Sequence, residues 1–481
     1  MSGTGGSRTL LWVGVAAAAF VALRLLPAPA GMAPAAWTVT AIAAAMVVLW
    51  LSEALPLAVT ALLPLVLLPL TGVAPVRQAA APYADPVVYL FLGGFVIGAA
   101  LERWNLHRRI GLRIVRAVGT TPRRLVAGLM LATGFISLWA SNTATAIMML
   151  PVATTIVALY DGEPGIDGAT RRNLPVVLLL AVAYGASIGG IGTLIGSPPN
   201  AIFAAYMARE HGVTVGFAQW MAIGVPTALV VGAGVWGILV LLHPVAPTGA
   251  EAVARRIRAE LTGAGPLSAA EARVAAIFLL TAAAWVARPL YAPLVPGIDD
   301  SVIAVAAAVA LFVVPAGDGT GRPLLVWDDL ADLPWSVLLL FGGGLSLADA
   351  IGRTGLADWL GTQAGVFDGW PPLAVVAAVT LVMILATELI SNTVAAATFV
   401  PIGAAVAMGL GLAPATLAMP LTLAASLAFM LPVGTPPNAL VFSTGRLSIR
   451  DMARAGLLAN LLAAAVITAA AALAEGRLFV G

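Results

Sequence analysis

Residues 137–143 read SLWASNT, and residues 387–393 read TELISNT. The shared Ser-Asn-Thr recurs at a distance of 250 positions. The same offset pairs Pro151 with Pro401, Arg103 with Arg353, and Gly93-Gly94 with Gly343-Gly344. A second phrase follows each tripeptide: IGSPPNAI around Pro198-Pro199-Asn200 and VGTPPNAL around Pro436-Pro437-Asn438. Two copies of one polar signature, each followed by its own Pro-Pro-Asn, imply two copies of one structural unit meeting at a shared centre.

The surroundings of these phrases set the solvent. Of 481 residues, 61% are hydrophobic and only 10% charged, too little charge to cover a soluble globule. Apolar stretches of spanning length are read at 9–27, 35–53, 56–72, 86–103, 174–208, 217–243, 272–292, 300–315, 334–350, 415–444 and 455–475. Segments 125–159 and 372–411 carry the tripeptides and are read as re-entrant hairpins. The expected fold class is therefore an all-α polytopic membrane protein with about 11 transmembrane helices and two re-entrant hairpins. Residues 1–85 supply N-terminal helices, 86–243 the first repeat, 244–333 a linker with two further helices, and 334–481 the second repeat with the last helix. Segment 160–173, YDGEPGIDGATRRN, reads as a surface loop. The N-terminal apolar run reads as an uncleaved first helix rather than a signal peptide.

Basic residues cluster at 103–124, at Arg255, Arg256 and Arg258, and at Arg446, Arg450 and Arg454. With a net charge of only +2, these clusters act as topology signals rather than as a nucleic-acid surface, and they place all three segments and the N-terminus in the cytoplasm of a cell (inner) membrane protein. Five crossings separate the start of 86–103 from the start of 334–350, so the second repeat enters the membrane from the opposite side.

A helix that stops inside hydrocarbon must turn its freed N–H and C=O groups toward protein, water or a ligand. Ser and Asn favour caps over helix interiors, and two consecutive prolines remove two donors. Two tripeptide tips and two Pro-Pro-Asn breaks could thus converge at mid-membrane. Helix N-termini there attract an anion, while hydroxyls, free carbonyls and the Asn amide oxygen suit a small alkali cation. Ser137 and Thr387 lie one helical turn before Ser141 and Ser391 and share their faces. Glu388, opposite Leu138 in the first copy, either balances charge at a cation site, caps a helix or pairs with an arginine. Glu53 reads as structural. Asp349, Glu102 and the histidines 107, 211 and 243 read as interfacial, and several of the twelve tryptophans as a belt at span ends.

In SEALPLAVTALLP (residues 52–64), the two Ser-Asn-Thr tips, IGSPPN and VGTPPN, the chain resembles the divalent anion:sodium symporter family, which includes INDY-type dicarboxylate transporters, over nearly its whole length. The resemblance implies a homodimer whose protomers each hold a scaffold and a mobile transport part working as an elevator. It implies a first Na+ site from Ser137, Ser141, Asn142 and the Gly196 region, and a second from Thr387, Asn392 and the Ile390 and Gly434 regions. Substrate would meet Asn142, Thr143, Ser391, Asn392, Thr393, Thr435, its counterpart Ser197, and Pro436. The function implied is Na+-coupled uptake of C4-dicarboxylates such as succinate, fumarate or malate. Na+-independent exchange, or transport of sulfate or tricarboxylates on the same scaffold, are the alternatives. No enzyme motif is found and no cofactor beyond the coupling Na+ is expected; without cysteine, disulfides and thiolate metal sites are excluded.

Overall fold

The computed structural model describes residues 4–162, 166–246, 250–263 and 265–474. Among these residues the chain is all helix and connection, with no β-strand. Ten helices are long and apolar enough to cross a membrane, or eleven if the sharply bent pair Leu356–Phe367 and Pro372–Thr387 is one span. The all-α, multi-pass class follows.

Both tripeptides interrupt hairpins as the sequence indicates. The first hairpin pairs Pro122–Ser137 with Asn142–Gly162, and the second pairs Pro372–Thr387 with Asn392–Gly409. Both Pro-Pro-Asn phrases restart a broken helix. The first runs Gly168–Gly190 and then Pro198–His211; the second runs Ala415–Ala425 and then Pro436–Phe442. The broken helices and hairpins are crossed between repeats. Pro198–His211 packs on Asn392–Gly409 of the second hairpin, and Pro436–Phe442 packs on Asn142–Gly162 of the first.

The repeated glycine pairs make two close approaches possible. A Cβ on Gly93 would lie 2.6 Å from Ala304, and one on Gly343 would lie 2.1 Å from the Ala61 carbonyl. The second glycine of each pair faces the central elements: Gly94 meets Ile195, and Gly344 meets Ala397. Small residues that let backbones touch are the usual device for packing helices in lipid, where no hydrophobic drive separates them from the solvent.

Helices Pro86–Arg103 and Trp335–Arg353 run antiparallel. At one end Arg103 pairs with Asp329, just before the second helix begins. At the other, Asp85 caps the first helix while Arg209 reaches both Asp85 (4.0 Å) and Asp349 in the last turns of the second (3.2 Å). Two of the basic segments meet: Arg108 Nη2 donates to Glu260 Oε2 at 2.9 Å. The third adjoins the end of Phe217–Leu242, where Asp451 and Arg454 act on His243.

Several expectations are corrected. Segment 56–72 is not one continuous helix; it is a shorter apolar segment broken into Leu57–Thr60 and Leu63–Leu70, with Pro69 inside the second piece. The buried Ala61 carbonyl at this break, freed from the helix ladder, accepts from the Tyr83 hydroxyl. The 160–173 loop shrinks, because helices reach Gly162 and resume at Gly168 on the Asp167 cap; residues 163–165 lie outside the described residues. Asp349, in the last turns of its helix, is buried within the protein and held by Arg209 and Arg353. His107 and His243 are likewise packed inside, each 8% exposed. Trp220 and Trp285 are core residues whose indole N–H groups bond the carbonyls of Ile191 and Asp300.

Candidate functional site

Both hairpin tips and both helix breaks line one cavity of about 1460 Å³. Of the expected site residues, Ser141, Asn142, Thr143, Gly196, Ser197, Ile390, Ser391, Asn392, Thr393, Gly434, Thr435 and Pro436 all line it. Ser137 and Thr387 sit behind the tips, fully buried. At the tips and the first break, helices of eight or more residues begin at Asn142, Asn392 and Pro198. The two tip helices offer first-turn N–H groups without intrahelical partners, which Pro198 and Pro199 cannot, and all three helices present the positive end of the helix dipole, which favours an anion.

Behind each tip the polar atoms are matched across the repeats. Ser137 Oγ lies 2.8 Å from Asn142 Oδ1 and 2.7 Å from the Ala186 carbonyl. Thr387 Oγ1 lies 2.9 Å from Asn392 Oδ1 and 2.8 Å from the Ala425 carbonyl. Each hydroxyl has one hydrogen and faces two acceptors. At the first tip the surplus is larger still: the amide atom nearest Ser137 also lies 3.1 Å from the Gly196 carbonyl and 3.1 Å from the Ala186 carbonyl. Turning the amide would place its nitrogen among them; a cation there would satisfy the same oxygens without the turn. Neutral, hard oxygen donors of this kind fit an alkali cation. Among the described residues no group of His, Cys, Asp and Glu could hold a metal ion by itself.

The Pro-Pro-Asn asparagines lock both breaks into one shape. Asn200 Nδ2 donates to the carbonyls of Gly190 and Thr193, ten and seven residues earlier. Asn438 Nδ2 donates to those of Ala428 and Leu431, at the same two offsets. This register confirms that Gly196 and Gly434 are counterparts.

Two expected residues differ in detail. Ser197 lines the cavity, but the residue is 1% exposed and its hydroxyl shares a hydrogen bond of 2.8 Å with Ser426 of the other repeat. Ser141 Oγ accepts the Ala144 N–H and so caps its helix. The reading of the residues missed the Ala186 and Ala425 carbonyls. It also missed Gly190, whose Cβ would stand 2.3 Å from Asn142 Oδ1. The glycine-rich run GASIGGIG before Thr193 was the available signal.

Glu388 is 3% exposed, and its hydrogen bonds go to backbone N–H groups of the second break and to Asn460. Of the three roles considered for it, pairing with an arginine finds no support among the described ion pairs, which do not include it.

Away from the tips the cavity is lined by Glu53, Glu102, Asp328, Asp329 and Asp332, with Arg103 as its one basic lining residue among those described. Glu53 ends the helix Pro34–Ser52 in the left-handed region at φ 48°. The cavity thus has an uncharged floor and a carboxylate-rich mouth.

Residues 8–478 match the family described as the sodium:sulfate symporter transmembrane region. The chain is 38% identical over 461 residues to a sodium-dependent dicarboxylate transporter, SdcS, of Staphylococcus saprophyticus, covering 93% of this chain and 88% of that one. It is 37% identical over 429 residues to the SdcS of Staphylococcus aureus strain USA300, covering 87% and 82%. The fold is similar to the crystal structure of the Alcanivorax borkumensis YdaH transporter, which is described as having an unusual topology. The TM-score is 0.57 at 13% identity, over 98% of this chain and 97% of that one, a likeness of fold alone.

Proposed function

The chain belongs to the sodium:sulfate symporter transmembrane family, and from that premise we propose that it is a secondary transporter that takes up C4-dicarboxylates with Na+. The carrying observation is the doubled oxygen cage behind two facing tips, at Ser137–Asn142 and Thr387–Asn392. The relatives' names, sodium-dependent dicarboxylate transporter, point to the same cargo.

Na+ sits in the first cage on Ser137, Asn142 and the carbonyls of Ala186 and Gly196, and in the second on Thr387, Asn392 and the carbonyls of Ala425, Ile390 and Gly434. Between them the dianion lies against Asn142, Thr143, Ser391, Asn392, Thr393 and Thr435. No lysine or arginine lines the cavity floor, so the two Na+ ions and the helix N-termini supply the positive charge. Binding of either partner then depends on the other, which is the coupling that symport requires.

The antiparallel run of Pro86–Arg103 and Trp335–Arg353 and the crossed packing of hairpins and broken helices support inverted-topology repeats. The hairpins and broken helices form a transport part that moves as an elevator past the remaining scaffold helices, in a homodimer. The mouth lies at the Arg103 end, beside the exposed Arg108, Arg113 and Arg116. By the positive-inside rule the cavity faces the cytoplasm and the N-terminus lies there too.

The test is uptake of labelled succinate into proteoliposomes with and without an inward Na+ gradient, with sulfate and citrate as competitors. Gradient-driven uptake inhibited by fumarate and malate is expected. Uptake indifferent to Na+ would remove the symport reading, and inhibition by sulfate but not by dicarboxylates would remove the substrate reading.

A further inference from the structure

The two halves differ at one point that the repeat pattern does not require. Helix Gly168–Gly190 ends ten residues before Asn200, whereas Ala415–Ala425 ends thirteen residues before Asn438. Because both asparagines grip carbonyls at the same offsets, the breaks are in register, and the second helix unwinds three residues sooner. Early unwinding releases backbone donors inside the protein, where an unsatisfied N–H is costly. Glu388 accepts three consecutive ones: Phe429 N at 2.7 Å and Met430 N at 2.8 Å on Oε1, and Leu431 N at 2.9 Å on Oε2. Asn460 Nδ2, on the last helix, donates to Oε1 at 2.7 Å.

The consequence falls on the cation cage. In a continuous helix the Phe429 N–H would bond the Ala425 carbonyl, four residues back. Glu388 takes that N–H instead, and the Ala425 carbonyl accepts from Thr387. At the far end of the unwound stretch Gly434 turns against Glu388, where a Cβ would lie 2.9 Å from Oε2. In the first repeat the equivalent residue is Leu138, and its helix continues to Gly190.

Resting on the sodium-coupled reading above, we infer that Glu388 is a positioning residue for the second Na+ site. It holds the stretch from Phe429 to Gly434 unwound and leaves the Ala425 and Gly434 carbonyls to the cation. Three donors fall on Oε1 and one on Oε2, and all but Asn460 come from the unwound backbone, so its role is assigned to holding that backbone. The two cages are therefore built differently. The first is set by its own helix, and the second depends on a side chain from the neighbouring hairpin.

The chain contains no cysteine, so one introduced thiol is a unique reporter. Val433 is 78% exposed, lines the cavity and precedes Gly434. In a Val433→Cys background, maleimide labelling is measured against Na+ concentration, alongside succinate uptake at saturating Na+. Glu388→Leu, which installs the first repeat's residue, is expected to raise the half-maximal Na+ concentration in both assays by on the order of tenfold, the effect of losing a buried backbone partner. The succinate KM at saturating Na+ is expected to stay within about threefold of the parent. Glu388→Gln keeps one acceptor oxygen and falls between the two. If Glu388→Leu does not fold, Glu388→Gln alone decides, by a raised or unchanged Na+ requirement.

An unchanged Na+ requirement, or equal losses in Na+ and succinate affinity, overturns the inference. If the parent itself shows no Na+ effect on labelling or uptake, the sodium-coupled reading fails instead, and the two failures are told apart.

Discussion

Asn142 is confined on one side by a residue with no side chain. Gly190 faces it so closely that a Cβ would stand 2.3 Å from Oδ1 and 2.9 Å from Nδ2. Its neighbour Gly189 faces the backbone of Gly134 instead, with a Cβ 2.2 Å from the carbonyl. Adjacent Gly→Ala substitutions should therefore fail in different ways. Gly190→Ala displaces the carboxamide proposed to bind both cargo and cation, and Na+-driven uptake should drop on the order of a hundredfold with melting in detergent near wild type. Gly189→Ala pushes two helices apart and should lower stability by about 1–3 kcal/mol. Equal melting temperatures for the two variants would contradict this division. The sequence made the tips legible because Ser, Asn and Thr are conspicuous in apolar surroundings, and because Ser137 and Thr387 sit one turn behind them. It could not make the Ala186 and Ala425 carbonyls legible. Any residue supplies a carbonyl, and only the course of the backbone decides which one is turned inward.

Among the elements, the hairpins and broken helices were readable because proline and polar residues interrupt otherwise continuous apolar runs. The split at residues 61–62 was not, since Pro64 sits in the first turn of its helix, a position proline tolerates without marking a break. The helix Leu106–Val118 shows how burial can hide behind charge. Its basic composition suggests an interfacial helix, yet Arg109 bonds Glu271 and the carbonyls of Gly265 and Pro266, and His107 Nδ1 lies 3.1 Å from the Leu101 carbonyl. Burial is the main cause that holds His107 below its ordinary pKa, with the Arg108 charge acting the same way and the Leu101 hydrogen bond opposing both. A histidine whose folded pKa is depressed takes up its proton more readily when unfolded. Its stabilising contribution is complete above the unfolded value of about 6.5 and is lost as pH falls toward the folded one. Melting in detergent at pH 7.5 and 5.5 should thus show a larger acid loss for the wild type than for His107→Gln. Identical pH differences in the two proteins would remove His107 from the account.

At the scale of the whole molecule, the proposed motion crosses a cluster of charges. Arg209 and Glu210 lie at the end of Pro198–His211, in the proposed transport part. Asp85, Asp349 and Arg353 lie on the two antiparallel helices of the proposed scaffold. Arg209 Nε is 3.2 Å from Asp349 Oδ1, and Arg353 Nε is 2.9 Å from Asp349 Oδ2. This cluster sits at the end of those helices remote from the acidic mouth of the cavity. If one part slides past the other, the Arg209 pairs must break each time the cavity leaves the cytoplasmic side, so they favour the state in which they are formed. Removing a partner from a part-buried, hydrogen-bonded charge pair costs about 1.5–3 kcal/mol, enough to move a two-state balance by roughly tenfold or more. Arg209→Ala should therefore reduce the labelling of Val433→Cys by a maleimide applied from the cytoplasmic face, while labelling in detergent, where both faces are open to reagent, persists. Lys at 209 keeps the charge but not the planar fork and should restore part of the difference. Unaltered sidedness in Arg209→Ala would mean that this cluster travels as one body, and the boundary between scaffold and transport part would have to be drawn on the other side of Pro198–His211.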